Sequence, residues 1–487
     1  MRPLTRRELV LGAGALAVGA TAADALGMPA RDPGWGIPTT PPRAGGAGPR
    51  ALRELAGRVR GPVLRPGAGA YAGAAQVYNA RFDGARPDAV VEVLDTGDVQ
   101  AVLRWADRHD VRVTARSGGH SYAGYSTLDE GVVVDLRRLR AIAVDRGGRR
   151  ASIGAGAHMI EVSDALARRG GAVPGGSCPT VGFGGLALGG GYGLASRAMG
   201  LTADNVTGLL VVTPDGRARR VGPRRDPDLF WALRGGGGGN FGIVTRFETR
   251  VNRVGRAAHF SASFGSAGDA LAAWERWAPE TDPRLTSVLQ LGTGSATAVG
   301  QYLGPEAGLA RLLGPLRRAG ASVTTGTAGY GALQVRWGNG RSTPRTTFSA
   351  KSHYVREPLP GRVRHALVAE LARGAGVAGL GTGMLILDAY GGALNRPGAG
   401  ATAFVHRDER CSIQYLAYHD GDGAPSRAWL RRMHGIVAPH ASGAYQNYMD
   451  PELEGWRRAY YGRNLERLET VRAEYDPDRR FRAPRGI

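Results

Sequence analysis

Two glycine-rich stretches constrain this chain more than anything else in it. The first, Ala115 to Thr127 (ARSGGHSYAGYST), sets one imidazole, His120, among small residues and hydroxyls. The second, GGSCPTVGFGGLALGGGYGLASRAMGLTADN, contains Cys178. Such runs leave backbone N–H groups available to an anion and let a large flat ligand come close to the chain. The 77 glycines exceed an average composition, and the excess is concentrated in a few places rather than forming a repeat.

At 487 residues the chain is too long for one core, and domain-size scaling divides it into about two to four. A hydrophobic content of 43% is that of a globular protein. The formal charge of +21 points first to nucleic acid or an anionic surface. The basic residues, however, are almost all arginine, with Lys351 the sole lysine, and they are scattered singly or in pairs such as Arg137/Arg138 and Arg457/Arg458. With no nucleic-acid motif present, that pattern reads as a compositional bias, and no nucleic-acid partner is expected.

Residues 1–27 have the layout of a twin-arginine export signal: Arg6 and Arg7, an apolar stretch, then small residues at Ala23 and Ala25. The apolar stretch is too short and too rich in Gly and Ala for a membrane anchor, so a secreted protein is expected. Residues 28–49 read as a flexible Pro/Gly-rich leader. The two cysteines, Cys178 and Cys411, leave two alternatives for an exported protein. One is a single disulfide. The other, which we favour, is a reactive Cys178 and a buried Cys411 that packs as a small hydrophobe.

In order along the chain, DAVVEVL reads as a strand. DVQAVLRWADRHD reads as a helix with Val99, Val102, Leu103 and Ala106 on one face and Asp98 placed to cap its start. VRVTARS is the next strand and delivers the chain into GGHS. A strand–helix–strand unit ending in a glycine-rich loop is where α/β folds bind phosphate-bearing cofactors. GVVVDLRRL and ASIGAGAH follow as strands, and MIEVSDALARRG as a short helix closing at Gly170 and Gly171. NVTGLLVVTPDGRARRV reads as a hairpin turning at Pro214, Asp215 and Gly216. Gly237, Gly239 and Gly242 have G-x-G-x-x-G spacing, but a nicotinamide-dinucleotide fingerprint needs a strand before and a helix after. Here a helix precedes, in DPDLFWALR, and a strand follows, in IVTRFETRV.

Beyond Asn252 strand-like runs (HFSASFG, TSVLQLGTG, ATAVGQYLG, GMLILDAYGG, CSIQYLAYH) alternate with helices such as DALAAWERWA and EAGLARLLGPLRRAG. This predicts a second α+β domain with a largely antiparallel sheet. The expected division is a first domain over 50–252, a second over 253–440 and a mostly helical C-terminal segment over 441–487 that returns to the first.

Several segments in one order, ARSGGHSYAGYS, GSCPTVGFGGLALGGGYGLASRAMGLTADN, PDLFWALRGGGGGNFGIVT, DAYGGALN, YQNYMD, AYYGRN and RAEYDPDRRF, together resemble the berberine-bridge-enzyme-like flavoprotein oxidases. These belong to the wider vanillyl-alcohol-oxidase, or PCMH-type, FAD-binding fold. The resemblance covers nearly all of Arg50 to Ile487. It implies an α+β fold with a two-part FAD-binding domain over 50–252, a substrate domain, and a C-terminal segment packed on the FAD domain. It also implies FAD held by two bonds, from His120 to the 8α-methyl group and from Cys178 to ring carbon 6. An imidazole and a thiolate are the side chains suited to attack an electron-poor isoalloxazine.

By the same resemblance, Arg116, Ser117, Gly118, Gly119 and Ser121 surround the pyrophosphate. Gly185, Gly190, Gly191 and Gly193 approach the ring and ribityl chain, Asn205, Gly242 and Val244 line the adenosine part, and Asn447, Tyr448 and Asn464 complete the site. Tyr448 is the main catalytic candidate, taking a substrate hydroxyl proton as hydride leaves the same carbon. A phenol with a pKa near 10 does this only if its phenolate is stabilised, and cation-rich surroundings would help to lower that pKa. Asp388, Tyr390 and Gln414 are expected to position substrate or to orient Tyr448. Val181 is the small residue that in the family leaves room for O2. Leu186 stands where many relatives have a ribityl-binding histidine. The reading is an oxidase, taken as a monomer with no membrane anchor, that takes hydride from an alcohol or related C–H centre of a sugar, glycosylated or polyketide-like metabolite and passes electrons to O2. The alternatives are oxidative cyclisation and a drug-sequestering flavoprotein with little turnover.

Overall fold

Runs of β-branched residues build the first sheet. The computed structural model describes residues 46–482 and 484–487, so the expected export signal and nearly all of the expected leader lie outside the described residues. Strands β1 (Val63–Leu64), β2 (Ala89–Glu92), β3 (Val113–Arg116) and β4 (Val132–Asp135) pair in the order β1-β2-β4-β3. The last three are parallel, and β1 lies antiparallel at the edge. AVVE and VVVD are near-continuous apolar runs because both faces of a parallel sheet are covered.

Helix Thr96–His109 crosses from β2 to β3 and buries Val99, Val102, Leu103 and Ala106. Its cap is Asp95, whose carboxylate accepts from the Asp98 N–H at 3.0 Å. Asp98, the expected cap, lies one turn too far along. Its carboxylate accepts instead from the N–H groups of Arg60, Gly61 and Leu94, which fastens the entry segment to the helix start.

Next come β5 (Ile142–Val144), β6 (Arg150–Gly154), β7 (Gly171–Ala172), β8 (Val206–Val212), β9 (Ala218–Val221), β10 (Ile243–Arg250) and β11 (Asn252–Arg253). A five-stranded antiparallel sheet runs β5-β6-β10-β8-β9, with β8 and β9 as a hairpin, and β7 pairs with β11. Helix Pro227–Ala232 precedes the run Gly235–Gly239, and β10 follows it. That order is the reverse of a nicotinamide-dinucleotide fingerprint.

The remaining strands, β12 (Arg256–Ser263), β13 (Leu285–Gly292), β14 (Ser295–Tyr302), β15 (Ser322–Gly329), β16 (Phe348–Val355), β17 (Gly383–Ala389) and β18 (Cys411–Tyr418), form one antiparallel sheet ordered β15-β12-β14-β13-β17-β18-β16. Alternation divides its faces: Leu385, Leu387 and Ala389 pack under helices with Trp274 and Trp429, while Met384 and Ile386 face the other way. EAGLARLLGPLRRAG is two helices, Glu306–Leu312 and Gly314–Arg318, because Pro315 restarts the helix instead of continuing it. After this sheet the chain returns: Tyr460, Tyr461, Leu468, Val471, Phe481 and Ile487 share one core with Val132 and Phe247.

One side chain fastens the second glycine-rich stretch to the seven-stranded sheet. Arg197, 2% exposed, donates through Nε to Tyr390 O (2.8 Å), through Nη1 to Leu285 O (2.6 Å) and Asp282 O (3.5 Å), and through Nη2 to Pro279 O (2.7 Å) and Thr281 O (2.9 Å). Burial pushes the guanidinium down to about 10, and it remains charged at neutral pH. Truncation would leave these carbonyls without donors, at a cost of about 1–3 kcal/mol for each one that stays dry. Arg197→Met is therefore expected to unfold several degrees below the wild type in a thermal melt. Arg197→Lys should recover only part of the loss, because an ammonium has fewer donors than this set of carbonyls needs.

Candidate active site

The two glycine-rich stretches meet backbone to backbone. A Cβ on Gly118 would stand 2.3 Å from Gly182 N, and one on Gly182 would stand 2.2 Å from Gly118 N, so neither position has room for a side chain. Arg116, at the root of the first loop, is buried and ion-paired through Nη2 with Asp135 at 2.6 Å, and it also donates to Gln76 O and Ala74 O. The sequence reading placed Arg116 on the cofactor. In the structure it braces the loop from beneath and does not line the cavity.

Above the loop opens a cavity of about 430 Å³. The expected residues Ser117, Gly118, Gly119, His120, Ser121, Cys178, Val181, Gly185, Gly193, Gly242, Val244, Asp388, Gln414, Asn447 and Tyr448 all line it. Among the described residues, no backbone acceptor takes the N–H groups of Ser117 through Tyr122. A loop presenting consecutive unpaired N–H groups to a cavity is a nest for an anion.

His120 lies over Tyr78, ring centroids 3.9 Å apart, with Nε2 3.0 Å from Thr180 Oγ1. Burial, with His158 nearby, lowers its pKa to about 3, so the imidazole is neutral and carries a lone pair. Cys178 is a free thiol whose Sγ lies 3.5 Å from Thr343 Oγ1 and 3.9 Å from Thr180 Oγ1. The Thr180 hydroxyl thus touches both reactive side chains. Cys411 is also free and buried on the helix-covered face of the sheet, so the disulfide alternative is not formed.

Five further expected residues, besides Arg116, lie away from the cavity wall. Gly190, at φ +111°, faces Phe404, and Gly191, at φ +75°, faces Thr202; both serve the turn rather than a ligand. Asn205 donates to Met199 O and Leu201 O and accepts from Arg250 and Asn252. Asn464 donates to the carbonyls of Ala399, Thr402 and Ala403. Tyr390 is fully buried behind the wall, its hydroxyl 2.9 Å from that of Tyr354. All five satisfy buried backbone or core packing, needs that a motif does not separate from ligand contact.

At the sheet end of the cavity stands a cluster of tyrosines. Tyr448 stacks on Tyr122 (4.9 Å, 13°), and the Tyr122 hydroxyl accepts from Gln414 Nε2 at 2.8 Å. Tyr192 and Tyr445 close the far side edge-on, and Asn447 Nδ2 donates to Tyr445 Oη and Leu186 O. Burial beside Tyr192 and Asp388 pushes the Tyr448 phenol well above its usual value. The neighbours that act on the phenol are tyrosines and a carboxyl, which oppose its ionisation. Burial raises Asp388 itself to about 7. Tyr122 and Tyr192 were absent from the expected site, although Tyr122 sits two residues after His120 within the quoted motif.

Comparison with known proteins agrees with this arrangement. Residues 87–222 match the family described as FAD binding domain, and 444–487 the family described as Berberine and berberine like. An uncharacterized FAD-linked oxidoreductase of Bacillus subtilis is 34% identical over 420 residues, covering 82% of this chain and 91% of that one. The chain belongs to the berberine-bridge-enzyme-like FAD-linked oxidoreductases. This FAD-linked oxidoreductase is also 29% identical to a chitooligosaccharide oxidase of Gibberella zeae, covering 84% of this chain and 89% of that one. The solved structure of Physcomitrella patens BBE-like 1 superposes with a TM-score of 0.84 at 29% identity, covering 90% of this chain and 98% of that one.

The residues present fit FAD: unpaired N–H groups for a pyrophosphate, a neutral imidazole and a free thiol on one wall, and aromatic rings beyond them. Gly118→Ala, which drives a methyl into the facing loop, is expected to reduce flavin content to under about a tenth of the wild type. The ratio of flavin to protein absorbance in the purified enzyme measures it.

Proposed function

We propose that this oxidoreductase is an exported oxidase that carries FAD on two covalent bonds, one from His120 and one from Cys178, and oxidises an alcohol or related C–H centre with O2 as acceptor. The observation that carries the reading is the meeting of these two nucleophiles at one hydroxyl, Thr180, from loops brought together by Gly118 and Gly182. Ser117, Gly118, Gly119 and Ser121 hold the pyrophosphate, and Gly242 and Val244 the adenosine end. Val181, on the wall beside Cys178, leaves space for O2. The relation to a chitooligosaccharide oxidase supports oxidase chemistry.

When bound, FAD would supply the two-electron acceptor between substrate and O2, with H2O2 as the reduced product. The chain supplies the acid–base groups. Tyr448, with its phenol raised, keeps its proton at neutral pH and serves as hydrogen-bond donor and proton relay at Oη. Asp388, raised to about 7, is the group whose charge changes near neutrality, and we assign it the final proton acceptor. Tyr122, held by Gln414, and Tyr192 fix the phenol's orientation.

Acid precipitation of the purified enzyme is expected to leave the yellow colour in the pellet; flavin in the supernatant would overturn covalent attachment. His120→Ala and Cys178→Ala should each retain singly bound flavin, visible by mass spectrometry of the flavopeptide. Because Asp388 is raised from 3.8 to about 7, its carboxylate forms only as pH rises through that value. kcat/KM is expected to climb up to tenfold per pH unit below 7 and to level off above. Asp388→Asn should lower it by about 10²–10⁴ and remove this limb, while Tyr448→Phe retains colour and loses flavin reduction by substrate.

A further inference from the structure

On the two-bond reading above, the imidazole and the thiol meet different chemical requirements. The lone pair of a neutral imidazole bonds to carbon directly, whereas a thiol bonds as its thiolate, and an ordinary thiol ionises only near about pH 8.5. Attachment through Cys178 near neutrality therefore needs a group that takes the thiol proton. The phenols of Tyr78, Tyr122 and Tyr418 are close enough to interact with Cys178, but burial raises all three, so they keep their own protons. Thr343 Oγ1 is 3.5 Å from Sγ and has no other hydrogen-bond partner among the described residues, so a proton handed to it goes no further. The Thr180 hydroxyl differs. It lies 3.9 Å from Sγ and 3.0 Å from His120 Nε2, and it stands off the cavity wall that Cys178 and Val181 line.

Tyr78 holds the imidazole plane, its ring nearly parallel to His120 at 3.9 Å and 17°. In that plane Nε2 meets Thr180, while Nδ1 is left without a partner among the described residues and is the nitrogen free to bond the 8α carbon. While Nε2 carries the imidazole proton it donates to the Thr180 hydroxyl. Once Nδ1 is bonded to carbon and that proton has left, Nε2 is an acceptor in a neutral ring, and the hydroxyl donates to it while accepting from the thiol. We infer that Thr180 relays the Cys178 proton to His120 Nε2, so that the His120 bond forms first and prepares the Cys178 bond. Both steps balance in the same way. One C–H bond and one N–H or S–H bond break, one N–C or S–C bond forms, and the two protons and two electrons released reduce O2 to H2O2.

The test reads the two bonds separately in the full-length enzyme. After incubation with FAD in air at neutral pH, the protein is denatured, treated with iodoacetamide and digested. Mass spectrometry gives the flavin on the His120 peptide, and alkylation of Cys178 relative to Cys411 gives the thiol left unbonded. Cys178 is expected to be under about a tenth alkylated in the wild type and more than about half alkylated in Thr180→Val, which keeps its flavin on His120. Thr180→Ser should restore the second bond, and so should incubation of Thr180→Val at about pH 9, where a thiol ionises without a base. His120→Ala, whose relay ends on no base, should form its single Cys178 bond at least about tenfold more slowly, while Thr343→Val should match the wild type. A Cys178 bonded to the wild-type extent in Thr180→Val, loss of both bonds together in that variant, or as much free Cys178 in Thr343→Val overturns the relay. Equally fast attachment in His120→Ala overturns the order. Full alkylation of Cys178 in the wild type overturns the second bond itself, so failure of the two-bond reading is seen in a different sample from failure of the relay.

Discussion

The contact between Gly118 and Gly182 is the constraint on which the site depends. Two loops packed backbone to backbone leave no space for side chains between them, and residues of both line one cavity. His120 and Cys178 come together for this reason, and the Thr180 hydroxyl between them is a consequence of the same packing. Arg116 and Arg197 hold the two loops from behind, one by an ion pair with Asp135 and the other by a set of main-chain carbonyls. Their buried charges are tolerable because nearly every donor has an acceptor, the condition under which buried guanidinium groups persist.

The tyrosine cluster changes how the acid–base chemistry is divided. A phenol serves as a base when cations or donors stabilise its anion, but Tyr448 has Tyr192, Tyr445 and Asp388 as neighbours, each of which opposes a phenolate. The same burial brings Asp388 close to neutrality. Two groups on one wall are pushed in the same direction from different starting values, and of the two the carboxyl lands near neutral pH. The aromatic faces around them serve mainly to fix geometry: the Tyr122 ring lies nearly parallel to Tyr448, and its hydroxyl is pinned by Gln414.

Much of the fold was legible because it is written in period. The β-branched runs at Ala89–Glu92 and Val132–Asp135, the helical stripe of Thr96–His109 and the Pro-Asp-Gly hairpin turn are local signals with local causes. β15 and β16 gave no such signal. SVTTGTAG is a polar edge strand, and FSAKSHYV carries Lys351 and His353 in its middle, where a strand reading fails unless the buried partners are known. At the site, residues whose side chain carries the chemistry (His120, Cys178, Asp388, Gln414, Tyr448) were placed on the cavity, whereas Gly190, Gly191, Asn205, Asn464 and Tyr390 were not. Asn205 donates to the nearby carbonyls of Met199 and Leu201 and Asn464 to those of the one stretch Ala399, Thr402 and Ala403, and no short motif separates such a role from ligand contact.

Lys351 shows why the net charge of this chain says little about its partners. In a protein whose cations are otherwise arginine, its sole lysine is buried, with Nζ 2.9 Å from both Asp450 Oδ2 and Glu452 Oε2. A compact ammonium fits between two carboxylates that a planar guanidinium would hold apart. These ion pairs join β16 to the segment immediately after Tyr448, so that segment is fixed against the sheet by a buried charge. Arginines such as Arg284, Arg431 and Arg467 occupy the surface beside Asp282, Glu452 and Asp228, where pairs contribute little to stability. The charge that matters for function lies inside, where each unpaired ion would cost several kcal/mol, and a count of charged residues cannot reveal it.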